Sequence, residues 1–267
     1  MLRPKPLLLD IEYKSEKGIT LESDSYDDFA WIYNEHWGSY INQVTAILDE
    51  LMLSKLPTGA RILDLCCGTG QLAQELVDQG FVVTGLDISE GMLRFAREHA
   101  PDTEFIRGDA RSFSLPLAFD GIVSTYDSLN HIMSIEELID VFDNVYRALR
   151  GGGLFLFDLN TEAGYENHWE GGAFDIVEDD HVCIVRSIYD PDERIAQFDA
   201  TIFILEREWK RSDLTFFQRC YSQMQVADAL ESAGFVNIDI SAYDGEFGLT
   251  ELTDETERLY FVCRKPL

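Results

Sequence analysis

Three acids stand at comparable places along the chain: Asp64, Asp87 and Asp109. The first opens the run Asp64-Leu65-Cys66-Cys67-Gly68-Thr69-Gly70, in which two glycines follow a carboxylate. Glycines so placed let the backbone turn sharply and approach a ligand closely, and carboxylates accept hydrogen bonds from hydroxyl or ammonium groups. The segment Gly68-Thr69-Gly70-Gln71-Leu72-Ala73 satisfies the loose dinucleotide pattern G-x-G-x-x-G/A, and Asp87 lies 19 residues beyond Gly68, near the spacing of a ribose-binding acid. A pyrophosphate, however, needs bare N–H groups with no anion beside them, and Asp64 sits four residues before the first glycine. A ligand with an adenosine half and a cationic half suits these residues better.

The elements that would position these acids form a regular series. Ile62, Leu63 and Leu65 read as a buried parallel strand, and Leu72, Ala73, Leu76 and Val77 begin a helix. A second strand, Phe81 to Asp87, closes on an acid; Ser89 caps a helix over Glu90–His99. The third strand, Glu104 to Arg107, runs into Gly108-Asp109-Ala110. Phe119 to Tyr126 is a fourth, followed by Asp127 to His131, an amphipathic helix Ile135–Leu149, a turn at Gly151-Gly152-Gly153 and a fifth strand from Leu154. This βαβαβαβ alternation predicts an α/β fold with a doubly wound, mostly parallel, Rossmann-like sheet, seven-stranded once Val236–Ser241 and Arg258–Cys263 join it. Ligands bind such sheets at the carboxyl ends of the strands, where all three acids lie.

Two further regions flank this core. Tyr26, Phe29, Ala30 and Tyr33 recur at helical spacing behind the cap candidates Ser23 and Asp24, and a second helix is expected from about Tyr40 to Leu56. Between about Gly172 and Ser222 the period changes to two, as in Phe198-Asp-Ala-Thr-Ile-Phe-Ile-Leu, with a turn at Asp190-Pro-Asp-Glu, so an inserted antiparallel sheet is expected over the carboxyl ends of the strands. The resulting division is a tail and helical lid over 1–56, a ligand-binding core over 57–167, an antiparallel cap over 168–222 and a completing helix and strands over 223–267.

The formal charge is −28, from 49 acids against 21 bases, so attraction to phosphate backbones is lacking and a small molecule fits better than nucleic acid. Five scattered cysteines without C-x-x-C spacing read as reduced core thiols, with no metal site expected. No run of about 18 apolar residues and no signal-peptide core follows Met1, so a soluble cytoplasmic protein without membrane contact is expected.

In order and spacing, Asp64 to Gly70, Asp87, Asp109-Ala110, the strand ending at Tyr126 and the Leu149-Arg-Gly-Gly-Gly turn resemble class I S-adenosylmethionine (SAM) methyltransferases over residues 57–160. The insertion and the aromatic segment Tyr26 to Tyr40 resemble, more narrowly, the bacterial small-molecule branch related to nucleotide-linked aminosugar N-methyltransferases. The resemblance implies that SAM is bound and S-adenosylhomocysteine released. It places Asp64, Cys66, Gly68 and Gly70 at the first motif, Asp87 and Ile88 on the ribose, and Asp109 and Ala110 on the adenine. Met92 is expected against the adenine face, and Tyr33 and Tyr126 also border the cofactor.

For proton removal from the acceptor, His131 is the best placed of five histidines, on the loop after the fourth strand, with Asn130 and Asp127 as stand-ins. The resemblance puts a Tyr or His there and an aromatic lid residue near Trp37; Tyr33, His36 and Trp37 are expected to close over the sulfonium. The fourth strand lacks the N/D-P-P-Y tetrapeptide of many base and glutamine methylases. The expected reaction is methyl transfer to a small-molecule N or O atom. A NAD-dependent oxidoreductase and a non-catalytic SAM-binding module are the alternatives, and the sequence leaves open the acceptor and whether the chain pairs as a homodimer.

Overall fold

The computed structural model describes residues 23–38, 41–169, 171–244 and 248–267; the tail and Tyr40, where the second helix was expected to begin, lie outside the described residues. Strands β1 (Arg61–Leu65), β2 (Val82–Asp87), β3 (Glu104–Arg107), β4 (Phe119–Ser124) and β5 (Leu149–Asn160) pair in parallel in the order β5-β4-β1-β2-β3. Beyond β5 the sheet continues antiparallel through β12 (Arg258–Arg264), β10 (Val236–Asp244) and β11 (Gly248–Thr250). It therefore has eight strands where seven were expected; the three residues of β11 are too few to show a periodicity.

Alternate residues of β1 face opposite layers. Ile62 packs with Val44, Leu48 and Leu51 of α2 (Ile41–Leu51) and with Leu72 and Leu76 of α3 (Gln71–Asp78). Leu63 and Leu65 pack with Leu138, Val141 and Phe142 of α5 (Ile135–Ala148) and Val226 and Leu230 of α7 (Gln223–Ser232). Burial on both faces is why these strands read as unbroken apolar runs. Two details depart from the expected alternation. The segment from β3 to β4 contains no helix, so the chain returns from the edge strand β3 past β2 and β1 to the interior strand β4 as a loop, residues 108–118. Gly151 to Gly153, expected as a turn, lie within β5, where the pairing with β4 jumps from Phe119–Leu149 to Gly121–Leu154.

Winding reverses between β1 and β4: β2 and β3 lie to one side of β1, β4 and β5 to the other. A crevice opens at such a reversal. Over it stands a second, four-stranded antiparallel sheet in the order β6 (Ala173–Val177), β7 (His181–Asp190), β8 (Ile195–Leu205), β9 (Trp209–Arg219). The turn into β8 is fixed by Asp190, whose Oδ1 accepts from the N–H groups of Asp192 and Glu193, both at 3.0 Å. A short helix, α6 (Glu162–His168), leads from β5 into this sheet and carries too few residues for a readable stripe.

Helix α1 (Ser23–His36) lies between the two sheets. Its Phe29, Ala30 and Ile32 pack against Cys183, Val185, Ala200, Ile202 and Phe216 of the antiparallel sheet and against Met92 of α4 (Glu90–His99). Asp27 of α1 also serves the N-terminus of α4: its Oδ1 accepts from Gly91 N at 2.7 Å and from Ser89 Oγ at 2.6 Å. This approach needs a glycine, since a Cβ on Gly91 would meet Asp27 Cα at 2.6 Å.

Candidate active site

Each of the four parallel strands that border the crevice delivers a functional residue at its end. After β1, Cys66 adopts φ 61°, in the left-handed region, and the turn closes through Gly68, whose N–H donates to Asp87 Oδ2 at 2.9 Å. Asp87, at the end of β2, accepts on Oδ1 from Ser89 N, also at 2.9 Å. Burial raises the Asp87 carboxyl above the ordinary range, while the N–H groups of Ser89, Gly68 and Ile88 pull against it. Asp64 is more extreme: it is buried, its Oδ2 has no partner, and burial, then the Asp87 charge, lift it to about 7.

After β3, Asp109 is clamped by Arg111, whose Nε and Nη2 reach its two oxygens at 3.0 and 2.7 Å, while Arg111 Nη1 holds Glu137 at 2.8 Å. Burial pushes Asp109 up, but the Arg111 guanidinium and N–H prevail and hold it below the usual carboxylate range. At the end of β4, Tyr126 and Asp127 have φ 62° and 51°, two successive side-chain-bearing residues in a conformation that costs energy and clusters at functional sites. The Asp127 N–H donates to Asp158 Oδ2 at 3.0 Å, and Arg258 bridges Asp127 Oδ1, at 2.8 Å, to Asp158. Its guanidinium lies over the Tyr126 ring, 5.7 Å from the centroid.

His131 is the centre of the polar network. Its Nδ1 lies 2.8 Å from the Phe217 carbonyl of β9, so Nδ1 carries the hydrogen and Nε2 is the acceptor. That nitrogen receives the Tyr26 hydroxyl at 2.8 Å and the Gln218 amide at 3.1 Å. Burial lowers the His131 pKa, against the opposing pull of Asp127 and the Phe217 carbonyl, so the imidazole is neutral near pH 7. Gln218 also donates to Asp127 Oδ2 at 2.6 Å and accepts from Tyr165 Oη at 2.8 Å.

These residues border one cavity of about 640 Å³, within the range of small-molecule sites. Tyr33, Trp37, Cys66, Gly68, Asp87, Ile88 and Met92 line it, as do Asp109, Ala110, Tyr126 and His131. Asp64 borders an adjoining recess of about 40 Å³, together with Tyr33, Trp37, Cys66 and Gly68. Three expectations are corrected. Gly70 lines neither space: with φ 81° it turns the chain into α3, and a Cβ there would meet Ala96 Cα at 2.7 Å. Asn130 is wholly buried and spends its amide on the backbone, Nδ2 on Arg219 O and Oδ1 on Asn160 N, both 2.9 Å. It joins β5 to β9 and does not reach the cavity. His36 points away from it, with Nε2 2.7 Å from His181 Nε2, itself held by Asp180 Oδ1 at 2.7 Å through Nδ1.

Gln218, Arg258 and Arg111 were missed in the sequence. Gln218 had a signal, a polar residue at the buried parity of β9 between Phe216 and Cys220. Arg258 had none, because its partners lie about a hundred or more residues away.

The "Methyltransferase domain" family matches residues 62–153. The candidate methyltransferase YqeM of Bacillus subtilis is 31% identical over 246 residues, which span 90% of this chain and 97% of YqeM. The chain belongs to the SAM-dependent methyltransferase family. It is similar, at 30% identity over 51% of the chain and 57% of the relative, to the dTDP-3-amino-3,4,6-trideoxy-alpha-D-glucopyranose N,N-dimethyltransferase of Streptomyces venezuelae. Among solved structures, a SAM-dependent methyltransferase from Clostridium acetobutylicum superposes with a TM-score of 0.75, at 22% identity and over 91% of this chain and 99% of that one. Family membership sets the dinucleotide reading aside. The methyltransferase uses SAM, and among its described residues no helix is long and apolar enough to cross a membrane. Its residues fit that cofactor: the partnerless Asp64 Oδ2 could answer an ammonium group, and the cavity is lined by Asp87 and Asp109 and by the rings of Tyr33 and Trp37.

Proposed function

We propose that this enzyme transfers the methyl group of SAM to a nitrogen or oxygen atom of a small molecule, in the space between the Tyr126–His131 segment and the antiparallel sheet. The observation that carries this reading is the continuity of the cavity: the same space that touches Asp87 and Asp109 also touches His131, Trp169, Phe198 and Phe216. On this reading residues 57–167 hold the cofactor, 168–222 cover the acceptor, and α1 closes over both. Relatives named as aminosugar N,N-dimethyltransferases support a small acceptor.

SAM supplies an activated methyl on a sulfonium, so the protein's work is positioning, which can account for roughly 7–11 kcal/mol of barrier. Asp87 would take the ribose hydroxyls, Asp109 with the Ala110 backbone the adenine, and Asp64 the ammonium. Tyr33 and Trp37, stacked with centroids 6.3 Å apart and planes 11° off parallel, would present aromatic faces toward the sulfonium. The neutral His131 takes the acceptor's proton at Nε2 once the Tyr26 hydroxyl, which now donates to that nitrogen, and the Gln218 amide give up its lone pair. Turnover of methyl-labelled SAM with a panel of small amines and alcohols tests the reading. Binding without transfer to any of them, in a protein that still binds SAM, would favour the non-catalytic alternative.

A further inference from the structure

Resting on that methyltransferase reading, the charges and rings of the acceptor lobe say what the acceptor carries. A nucleotide diphosphate or a carboxylate needs a cation to meet it, best a guanidinium with donors to spare. Among the described lining residues there are two guanidiniums and no lysine, and both guanidiniums are spent: Arg111 on Asp109 and Glu137, Arg258 on Asp127 and Asp158. His168, at the rim, is held by Glu257 at 2.9 Å. On the acceptor side the lining carboxylates Asp127 and Glu257 outnumber the one guanidinium, Arg258, while Asp87, Asp109 and Arg111 lie toward the cofactor. Asp158 stands just behind the acceptor-side carboxylates, buried and with one partnerless oxygen. An anion entering this lobe would lose its hydration and find repulsion.

Much of the remaining wall is aromatic. Phe198 lies 5.8 Å from Trp169 and 6.0 Å from Phe216, and Trp37 lies 6.2 Å from Phe174, centroid to centroid. Rings of this kind bury an apolar body and attract a cation through their faces.

We propose that the acceptor is an amine borne on an aromatic or alicyclic body, without phosphate or carboxylate, and that it differs in this from the dTDP-sugars in the names of several relatives. The amine nitrogen's lone pair forms the new N–C bond as the carbon–sulfur bond breaks with its electron pair left on sulfur. That lone pair is first freed when the bound ammonium gives a proton to His131 Nε2, and in the transfer the positive charge passes from sulfur to nitrogen. The methylated product is itself a cation at neutral pH and is met by the same rings and carboxylates.

The test is binding to the full chain held saturated with S-adenosylhomocysteine, read by calorimetry and by fluorescence of the two cavity tryptophans. The probes are 2-phenylethylamine, 3-phenylpropionate, 2-phenylethanol and thymidine diphosphate. The amine is expected to bind at least tenfold more tightly than the carboxylate, and thymidine diphosphate not to compete with it. Phe198→Leu, which keeps apolar volume but removes a ring face, should weaken the amine about threefold and leave the alcohol unchanged. Glu257→Gln, at an exposed rim position, should narrow the amine-over-carboxylate preference. Equal or tighter binding of the carboxylate or the diphosphate, or no binding of the amine, overturns the proposal while S-adenosylhomocysteine still binds. Failure of S-adenosylhomocysteine itself to bind would overturn the methyltransferase reading and this proposal with it.

Discussion

The hydroxyl of Tyr26, on a helix that lines the cavity, lies 2.8 Å from Nε2 of His131, on the loop that follows β4. The contact crosses 105 residues of sequence and fills the lone pair that a base must offer. On the proposed mechanism, proton removal is therefore tied to where α1 sits. His131→Ala is expected to lower kcat by about 10²–10⁴-fold while S-adenosylhomocysteine affinity stays within about threefold, and Tyr26→Phe to lower kcat by about tenfold. Single-turnover rates and calorimetry on the same preparations check both; unchanged turnover per folded molecule in His131→Ala would remove the histidine from the mechanism.

The depressed pKa of His131 also has a sign in stability. Its folded pKa lies below the unfolded value of about 6.5, so the neutral imidazole contributes stability that is present above pH 6.5 and lost as pH falls below it. The midpoint temperature of the native chain should drop between about pH 6.5 and 5 more steeply than that of His131→Gln.

Asp64 works in the opposite direction. Lifted to about 7 by burial and then by Asp87, it holds a proton in the folded chain that the unfolded chain releases near pH 4, so its contribution is full at low pH and declines as pH rises toward 7. An ammonium group arriving at Asp64 would drive that proton off. Calorimetry of S-adenosylhomocysteine binding at pH 6 in buffers of different ionisation enthalpy should show release of close to one proton, abolished in Asp64→Asn.

Asp87→Ala leaves the ribose hydroxyls and the Gly68 N–H without their acceptor, at a cost of about 1–3 kcal/mol in cofactor affinity. An unchanged dissociation constant would show that the ribose lies elsewhere.

Asp158 is buried and Asp127 nearly so, while Arg258 is partly exposed, so Arg258→Ala leaves two carboxylates without their cation and should cost up to about 3–5 kcal/mol of stability. Adding Asp158→Asn should recover part of that loss, and denaturant titration of the single and double variants measures the coupling.

Much of this was legible in the sequence, for reasons that can be named. Leu63 and Val123 are covered on both sides of a parallel sheet, so strand segments read as apolar runs, and the acids at their ends mark the edge where the sheet opens. The antiparallel sheet announced itself by period two, because one side of β7 is buried and the other is not. What stayed hidden is long-range pairing. Nothing local to Gln218 points to His131, and nothing near His36 points to His181; each pair exists only because α1 and β9 have been folded against the core. Asn130 misled for the same reason, since its loop position suggested chemistry while its amide holds two backbones together.

Helix α1 is fastened at three places along its length: Asp27 to the start of α4, Tyr26 to His131, and His36 to His181 of the antiparallel sheet. Its Tyr26, Phe29 and Tyr33 line the cavity, so on the proposed reading it is a wall shared by both compartments. On that reading admission would be sequential, the donor seated beneath the helix before the acceptor's chamber is complete and the spent donor leaving last. Steady-state kinetics should then be compulsory-order, with S-adenosylhomocysteine competitive against SAM and non-competitive against the acceptor.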